Sequence, residues 1–353
     1  MSLTSVRLPG TTQMKLPTLD IVIVNWNSGS ALVRCLTSIS APHNAGFHLS
    51  RVCIVDNAST DNSLNGIEAL APRPVVYRNT SNLGFAAACN QGAHGSSADY
   101  LLFLNPDTRL TPDSLSVPTL FMEEKQNRRI GICGIPLLDD WGQPATCSAA
   151  FPSSLLLCAE TCGLDRLIGR RFAAYGQTAG PTQRRRMVDQ VIGAYFLVRA
   201  SLFKELGGFD ERFFLYYEEV DFSLRARAYH YTSCVVFGAV AYHTGCVSSN
   251  RVKDLSLFYL LRSKLQFAHK HFSIWGQVSV GICTLFLEPW ARCLHGVCTK
   301  STGTITNTIR AYAYLFQDFC ADISHKAQGS LAPYCRAVVR PAFSKRTNTA
   351  NGR

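Results

Sequence analysis

The sequence predicts an α/β fold built on an open, mostly parallel central sheet flanked by helices. Three observations lead there. Short apolar runs, IVIV (21–24), VCIV (52–55), PVVY (74–77) and YLLFL (100–104), begin about every 20–30 residues. Each is continuous rather than alternating, the mark of a strand buried on both faces. Each is also followed by Asn, Asp or Gly and then by a mixed amphipathic stretch that suits a crossover helix. Ligands of such sheets bind beyond the carboxyl ends of the strands. The polar residues directly after each run are therefore the ones to weigh.

Composition narrows the function classes. The chain has 353 residues, 47% apolar and 17% charged, enough for a sizeable core and too apolar for disorder. Its 25 Gly and 15 Pro follow no period, which excludes a collagen-like chain. The net charge of +11 is concentrated at the ends. No Asp or Glu precedes Asp20 or follows Asp322, whereas Arg7, Lys15, Lys326, Arg336, Arg340, Lys345, Arg346 and Arg353 all lie there. Basic tails of this kind suit an anionic surface more than a groove that reads nucleic acid. The 14 cysteines include no CxxC and mostly sit inside apolar runs such as VCIVDN and GICGIP, where Cys acts as a small core hydrophobe. With no apolar leader in MSLTSVRLPGTTQMK, they predict a reduced, cytoplasmic compartment.

The expected organisation is an amino-terminal tail (1–17), a sheet domain (18–252), a helical extension (253–322) and a basic tail (323–353). The sheet domain divides into a nucleotide-binding half, about 18–110, and a second half, about 130–252. The second half has a Gly- and Pro-punctuated loop stretch (139–187) that includes Arg184–Arg185–Arg186. A strand-like VIGAYFLV (191–198), a helix-like SLFKEL ended by Gly207–Gly208, an acidic helix around Glu218–Arg227 and a strand-like VVFGAVAYH (235–243) follow. The extension reads LFYLLRSKLQFAHKHF and then FSIWGQVSVGICTLFL, with no charge between Phe272 and Leu287. Those 16 residues fall short of the roughly 20 that a spanning helix needs. With Trp275, Trp290 and flanking Lys and Arg, they predict interfacial or core-docked helices.

Four constellations at strand ends carry candidate chemistry. Asn25–Trp26–Asn27 ends the first run, where it can bracket a planar ring or a diphosphate, or simply turn the chain. Asp56 ends the second, where its carboxylate can accept the N3–H of a uracil or thymine, or cap the next helix. Asn105–Pro106–Asp107 ends the fourth. Asp107 is placed there to hold a divalent cation on a diphosphate, or to make an Asx turn. Lastly, Glu218, Glu219 and Asp221 open a helix after the aromatic lead-in FFLYY. They either complement the helix dipole or place one acid in a desolvated pocket, where its pKa rises towards that of a useful base. His243 follows the last apolar strand, beside these candidate metal and base residues.

Taken together and in order, IVIVNWNSG, VCIVDNASTD, NTSNLGFAAACNQG, LLFLNPDT, VIGAYFLVR, GGFDERFFLYYEEVDFSLRA and AYHTG resemble the family 2 glycosyltransferases of GT-A fold, in their bacterial rhamnosyltransferase-like branch. The resemblance covers about 18–272. It implies a Rossmann-like GT-A domain with a C-terminal helical, membrane-associating extension. It also implies that Asp56 takes the base of a uridine or thymidine diphosphate sugar, with Asn82, Gly84 and Asn90 lining the nucleotide and sugar pocket. Asp107 would hold Mg²⁺ or Mn²⁺, His243 would add a ligand, and Asn105 stands where the family's Asp-x-Asp has its first Asp. Glu219 matches the general base, and Gly193, Ala194, Glu218 and Asp221 fall near the acceptor.

The implied reaction is an inverting transfer, with L-rhamnose from dTDP-L-rhamnose leading, to a sugar hydroxyl of a lipid-linked cell-surface polysaccharide precursor. Its place would be the inner face of the cell membrane, with no nucleic-acid partner. One carboxylate must take the proton of the incoming hydroxyl, unlike the pair that glycoside hydrolases use. A UDP-sugar transferase, a sugar-phosphate nucleotidylyltransferase and an inactive nucleotide-sugar binding protein are the alternatives. A dinucleotide oxidoreductase is excluded, since no GxGxxG follows the first run.

Overall fold

The computed structural model describes residues 16–40, 43, 46–161, 163–164, 184–245 and 252–327. The expected amino-terminal tail as far as residue 15, most of the latter part of the 139–187 loop stretch and the basic tail beyond residue 327 lie outside the described residues.

The chain opens with β1 (Thr18–Asn25), α1 (Ser30–Ser40), β2 (His48–Asp56), β3 (Val75–Arg78), α2 (Phe85–Ala93) and β4 (Tyr100–Leu104). The four strands are parallel neighbours in the order β3-β2-β1-β4. The runs of β1 and β4 are continuous because both faces are covered: every residue of β4 is buried, as are Leu19 to Val24 of β1. β3 closes the edge of the sheet and is largely exposed, with Val75 and Tyr77 open to solvent, so PVVY is not the doubly buried strand that its apolar run predicts. Helix α2 lies so close to the sheet that Gly92 has no room for a Cβ against Val22.

Short elements follow. They are β5 (Thr108–Leu110), α3 (Ser116–Glu123), β6 (Ile130–Gly134), β7 (Leu137–Leu138), β8 (Pro144–Ala145), β9 (Ser148–Ala149) and α4 (Ser154–Thr161). After them come β10 (Arg185–Val188), β11 (Gln190–Val191), β12 (Tyr195–Arg199), α5 (Ala200–Glu205), α6 (Glu218–Ala228), β13 (Thr232–Val236) and β14 (Ala241–His243). Strands β12, β6, β13 and β10 extend the main sheet beyond β4 to eight strands. Only β12 and β10 run against the rest. The sheet is thus mixed and mostly parallel, as the sequence predicts. Strands β5, β14, β7 and β8 make a small second sheet, and β9 pairs with β11.

Two single strands expected from the sequence are divided. VIGAYFLV breaks after Val191, where the chain turns through Gly193 and Ala194 before entering β12. VVFGAVAYH breaks at Gly238, whose φ of +97° suits glycine alone. This sends β13 to the main sheet and β14 to the small one. That second break matters for the site, because it frees His243 to pair beside Asp107.

The extension comprises α7 (Lys253–His271), α8 (Ile274–Ile282), a π-helical turn (Cys283–Leu287), α9 (Glu288–Cys298) and α10 (Thr302–Ala327). The last helix continues past residue 322, where the sequence puts the end of the extension. Helix α7 docks on the 213–217 segment, with Tyr259 stacked on Phe214 at 4.2 Å and 11°. Among the described residues, no helix is long and apolar enough to cross a membrane.

Candidate active site

A cavity of about 310 Å³ opens at the carboxyl ends of β1, β2 and β4. Trp26 and Ser28 reach it from β1, Asn57 from β2, and Asn105, Pro106 and Asp107 from β4. Asn82 and Gly84 line it from the entry to α2, and His243 from the end of β14. The opposite wall is Phe214, Leu215 and Tyr216, together with Val252, Leu255, Ser256 and Tyr259 at the start of the extension.

Antiparallel pairing builds the polar corner. β14 pairs with β5 so that His243 faces Thr108, next to Asp107, and the Thr244 N–H donates to the Asp107 carbonyl at 3.2 Å. The imidazole Nε2 lies 3.3 Å from Asp107 Oδ1 and 3.5 Å from the Asn105 amide nitrogen. An anionic oxygen and an imidazole nitrogen this close, both largely screened from solvent, suit one divalent cation. Among the described residues, no three His, Cys, Asp or Glu side chains converge on one point. A cation here would therefore take most of its remaining ligands from a bound phosphate and water.

Asn25 and Asp56 end β1 and β2, next in the chain to Val24, Trp26 and Asn57, which line the cavity. The buried Asn25 amide nitrogen donates to Asp56 Oδ1 at 2.7 Å, and to the hydroxyls of Ser59 and Ser63. The Ser59 N–H donates to Asp56 Oδ2 at 3.2 Å. Each carboxylate oxygen keeps a second lone pair. Asp56 itself is not among the cavity-lining residues; its neighbour Asn57 is. Asn27, at φ +49°, ties the two loops together by accepting the Thr60 N–H at 2.8 Å.

The α2 entry is fixed by close approach. Gly84 has φ +92°, and a Cβ there would lie 2.6 Å from the Phe214 carbonyl. The Asn82 side chain accepts the Gly84 N–H at 2.9 Å, an Asx turn that presents both residues to the cavity. Asn90, on the same segment, is engaged elsewhere. Its side chain brackets Phe209, donating to the carbonyl and accepting the N–H at 2.9 Å each. It does not line the cavity.

The acids at the start of α6 separate into two environments. Tyr216 and Tyr217 have φ of +68° and +69°, two successive non-glycine left-handed residues that cost about 1–3 kcal/mol each. This turn carries the chain from the cavity wall into α6. Glu218 and Glu219 each have an Oε2 enclosed without a hydrogen-bond partner among the described residues. Burial raises the Glu218 carboxyl well above the usual range, and the neighbouring Glu219 raises it further. Burial also raises Glu219, though its own N–H and that of Val220 oppose the shift. Neither lines the cavity; both follow Tyr216, which does, by two and three residues in the chain.

Asp221 is fully buried and faces the extension, meeting Arg225 at 2.7 Å, Lys270 at 2.5 Å and His271 at 2.7 Å. Burial alone would raise its pKa; the His271 and Lys270 hydrogen bonds and the Arg225 charge outweigh that and lower it. Ala194 is buried with its carbonyl accepting the Asn105 N–H at 3.1 Å, and Gly193 beside it borders open space. Sequence reasoning missed the wall made by Phe214–Tyr216 and α7. The apolar spacing of α7 reads as core, and nothing in it marks Leu255, Ser256 and Tyr259 as cavity residues.

Comparison with known proteins agrees with this geometry. Residues 20–142 match the family model described as Glycosyl transferase family 2. The N-acetylglucosaminyl-diphospho-decaprenol L-rhamnosyltransferase of Mycobacterium tuberculosis is 28% identical over 249 residues, 66% of this chain and 78% of the relative. Rhamnosyltransferase WbbL of Escherichia coli is 29% identical over 130 residues, 36% of this chain and 45% of the relative. Among solved structures, the mannosyltransferase PcManGT from Pyrobaculum calidifontis, in complex with GDP-Man and Mn²⁺, superposes with a TM-score of 0.52 at 12% identity. The match covers 86% of this chain and 88% of that one.

Proposed function

We propose, from the premise that this chain is a family 2 glycosyltransferase of GT-A fold in the rhamnosyltransferase-like branch, that it transfers L-rhamnose from dTDP-L-rhamnose, with inversion, to a sugar hydroxyl of a lipid-linked cell-surface polysaccharide precursor. One observation carries this reading: Asn105, Asp107 and His243 meet Asn82 and Gly84 on one cavity at the strand ends. The lipid-linked acceptor is inferred from the mycobacterial relative, whose name specifies a diphospho-decaprenol substrate. Such acceptors sit at a membrane, so the enzyme works peripheral to its inner face.

The residues take their roles as follows. Asp56, oriented by Asn25 and Ser59, accepts the N3–H of the donor base. Asn82 and Gly84 hold the sugar and nucleotide against α2. Asp107 and His243 hold Mg²⁺ or Mn²⁺, and the cation, when bound, neutralises charge developing on the departing diphosphate. Glu219 accepts the proton of the acceptor hydroxyl, its basicity raised by burial beside Glu218. Gly193 leaves open space for the acceptor sugar. Thymine and uracil share the N3–H, so Asp56 serves a UDP-sugar equally well; that is the second reading.

A donor panel assayed with and without EDTA tests the proposal. Release of dTDP from dTDP-L-rhamnose that EDTA abolishes is the expected result. Turnover confined to UDP-sugars selects the second reading, and turnover indifferent to EDTA contradicts the role given to Asp107 and His243.

A further inference from the structure

Helix α8, the π-helical turn and α9 run on as one continuous helix over 274–298. Its inner face is the small and polar one: Gly276, Val280, Thr284 and Glu288 are buried and recur every fourth residue. On the opposite side Trp275, Val278, Ile282, Phe286, Trp290 and Leu294 are 45% to 80% exposed. Their spacing of three or four residues makes one stripe about 28 Å long. Ordinary surface helices put apolar residues inward; this one reverses the rule.

Charge says what covers the stripe. The extension from residue 272 to 327 carries three carboxylates, Glu288, Asp318 and Asp322, and Glu288 and Asp318 are ion-paired within the fold. Glu288 pairs with Lys264 and Arg292, and Asp318 with Arg262 at 2.7 Å. Lys300, just after α9, is exposed, as is Arg310 on α10, which pairs with Asp254 at 4.0 Å. Residues 328–353, which follow α10, add Arg336, Arg340, Lys345, Arg346 and Arg353 with no acid. An apolar stripe with a Trp near each end, followed by an excess of cations over acids, is complementary to an anionic lipid headgroup layer.

We propose that this stripe is a docking face for an anionic phospholipid bilayer, on which the helix lies in the interfacial plane without crossing. The inference deepens the membrane-surface part of the proposed function, and it is read without sugar transfer. The test is co-sedimentation of the full chain with vesicles of phosphatidylcholine and phosphatidylglycerol, compared with Trp275→Ser/Phe286→Ser/Trp290→Ser. These side chains are exposed, so thermal unfolding of the variant should match that of the parent. The expected result is binding by the parent that weakens with salt, and a loss of roughly tenfold or more in the variant. Failure of the parent to bind, or equal binding by the variant, overturns the proposal. So does a dimer in sedimentation analysis that the triple variant dissolves, because the stripe is then an interface between copies. Loss of transfer with vesicle binding intact refutes the enzymatic reading and leaves this one standing.

Discussion

Substituting Asn for Asp107 keeps the shape of the Asn105–Pro106 turn and the β5–β14 pairing but removes the charge that faces His243 at 3.3 Å. The expected outcome is a fall in kcat on the order of a hundredfold or more, about 3 kcal/mol, with little loss of stability. Steady-state kinetics beside thermal unfolding checks both halves. The Glu218–Glu219 pair calls for a different experiment. A base whose pKa burial has raised is ready only above that raised value, so turnover should rise with pH along a limb above the ordinary Glu value of about 4.3. Glu219→Gln should abolish the limb along with turnover, whereas Glu218→Gln should keep both. The opposite result would assign the proton transfer to Glu218. Stability follows the same sign. A carboxyl with a raised folded pKa stabilises fully at low pH and loses that contribution as pH rises through its folded value. Glu218→Gln should therefore be no less stable than the parent at neutral pH.

Helices α6 and α7 show how an element far from the chemistry shapes the cavity. Asp221 of α6 grips Lys270 and His271 at the end of α7, and the start of α7 supplies Leu255, Ser256 and Tyr259 to the cavity wall. Asp221 contributes to folding as a positioning residue, because two of its partners, Lys270 and His271, arrive from another element. Asp221→Asn removes a buried carboxylate from the half-buried Arg225, Lys270 and His271, at an expected cost of about 2 kcal/mol. The lowered pKa fixes the pH dependence. The stabilisation is present above the ordinary Asp value of about 3.9 and is lost as pH falls below it towards the depressed folded value. Thermal unfolding between neutral and acid pH should show the parent losing this increment while the variant does not. A raised KM for the donor in the variant would report the displaced α7 wall.

Across the whole molecule, legibility followed physical cause. β1, β4 and the latter half of β2 could be read from the chain because burial on both faces demands uninterrupted apolar runs; β3 was legible from its β-branched run although it is a largely exposed edge strand. Of the polar residues after the runs, Asn82, Asn105 and Asp107 line the strand-end cavity, whereas Asn25, Asn27 and Asp56 do not. What local pattern cannot carry is long-range pairing. The split of VVFGAVAYH at Gly238, which brings His243 to Thr108, depends on a partner strand 130 residues or more earlier in the sequence. The clasp of Asn90 on Phe209 is likewise set by tertiary approach across the fold. The cavity wall from α7 stayed hidden for the same reason, because an apolar helix face looks alike whether it meets core or substrate.

The most direct test is a crystal of the chain soaked with dTDP and Mn²⁺ and measured at the manganese edge. An anomalous peak between Asp107 Oδ1 and His243 Nε2, with the thymine ring turned towards Asp56, is the predicted result. Manganese elsewhere, or nucleotide bound outside the strand-end cavity, would contradict the account.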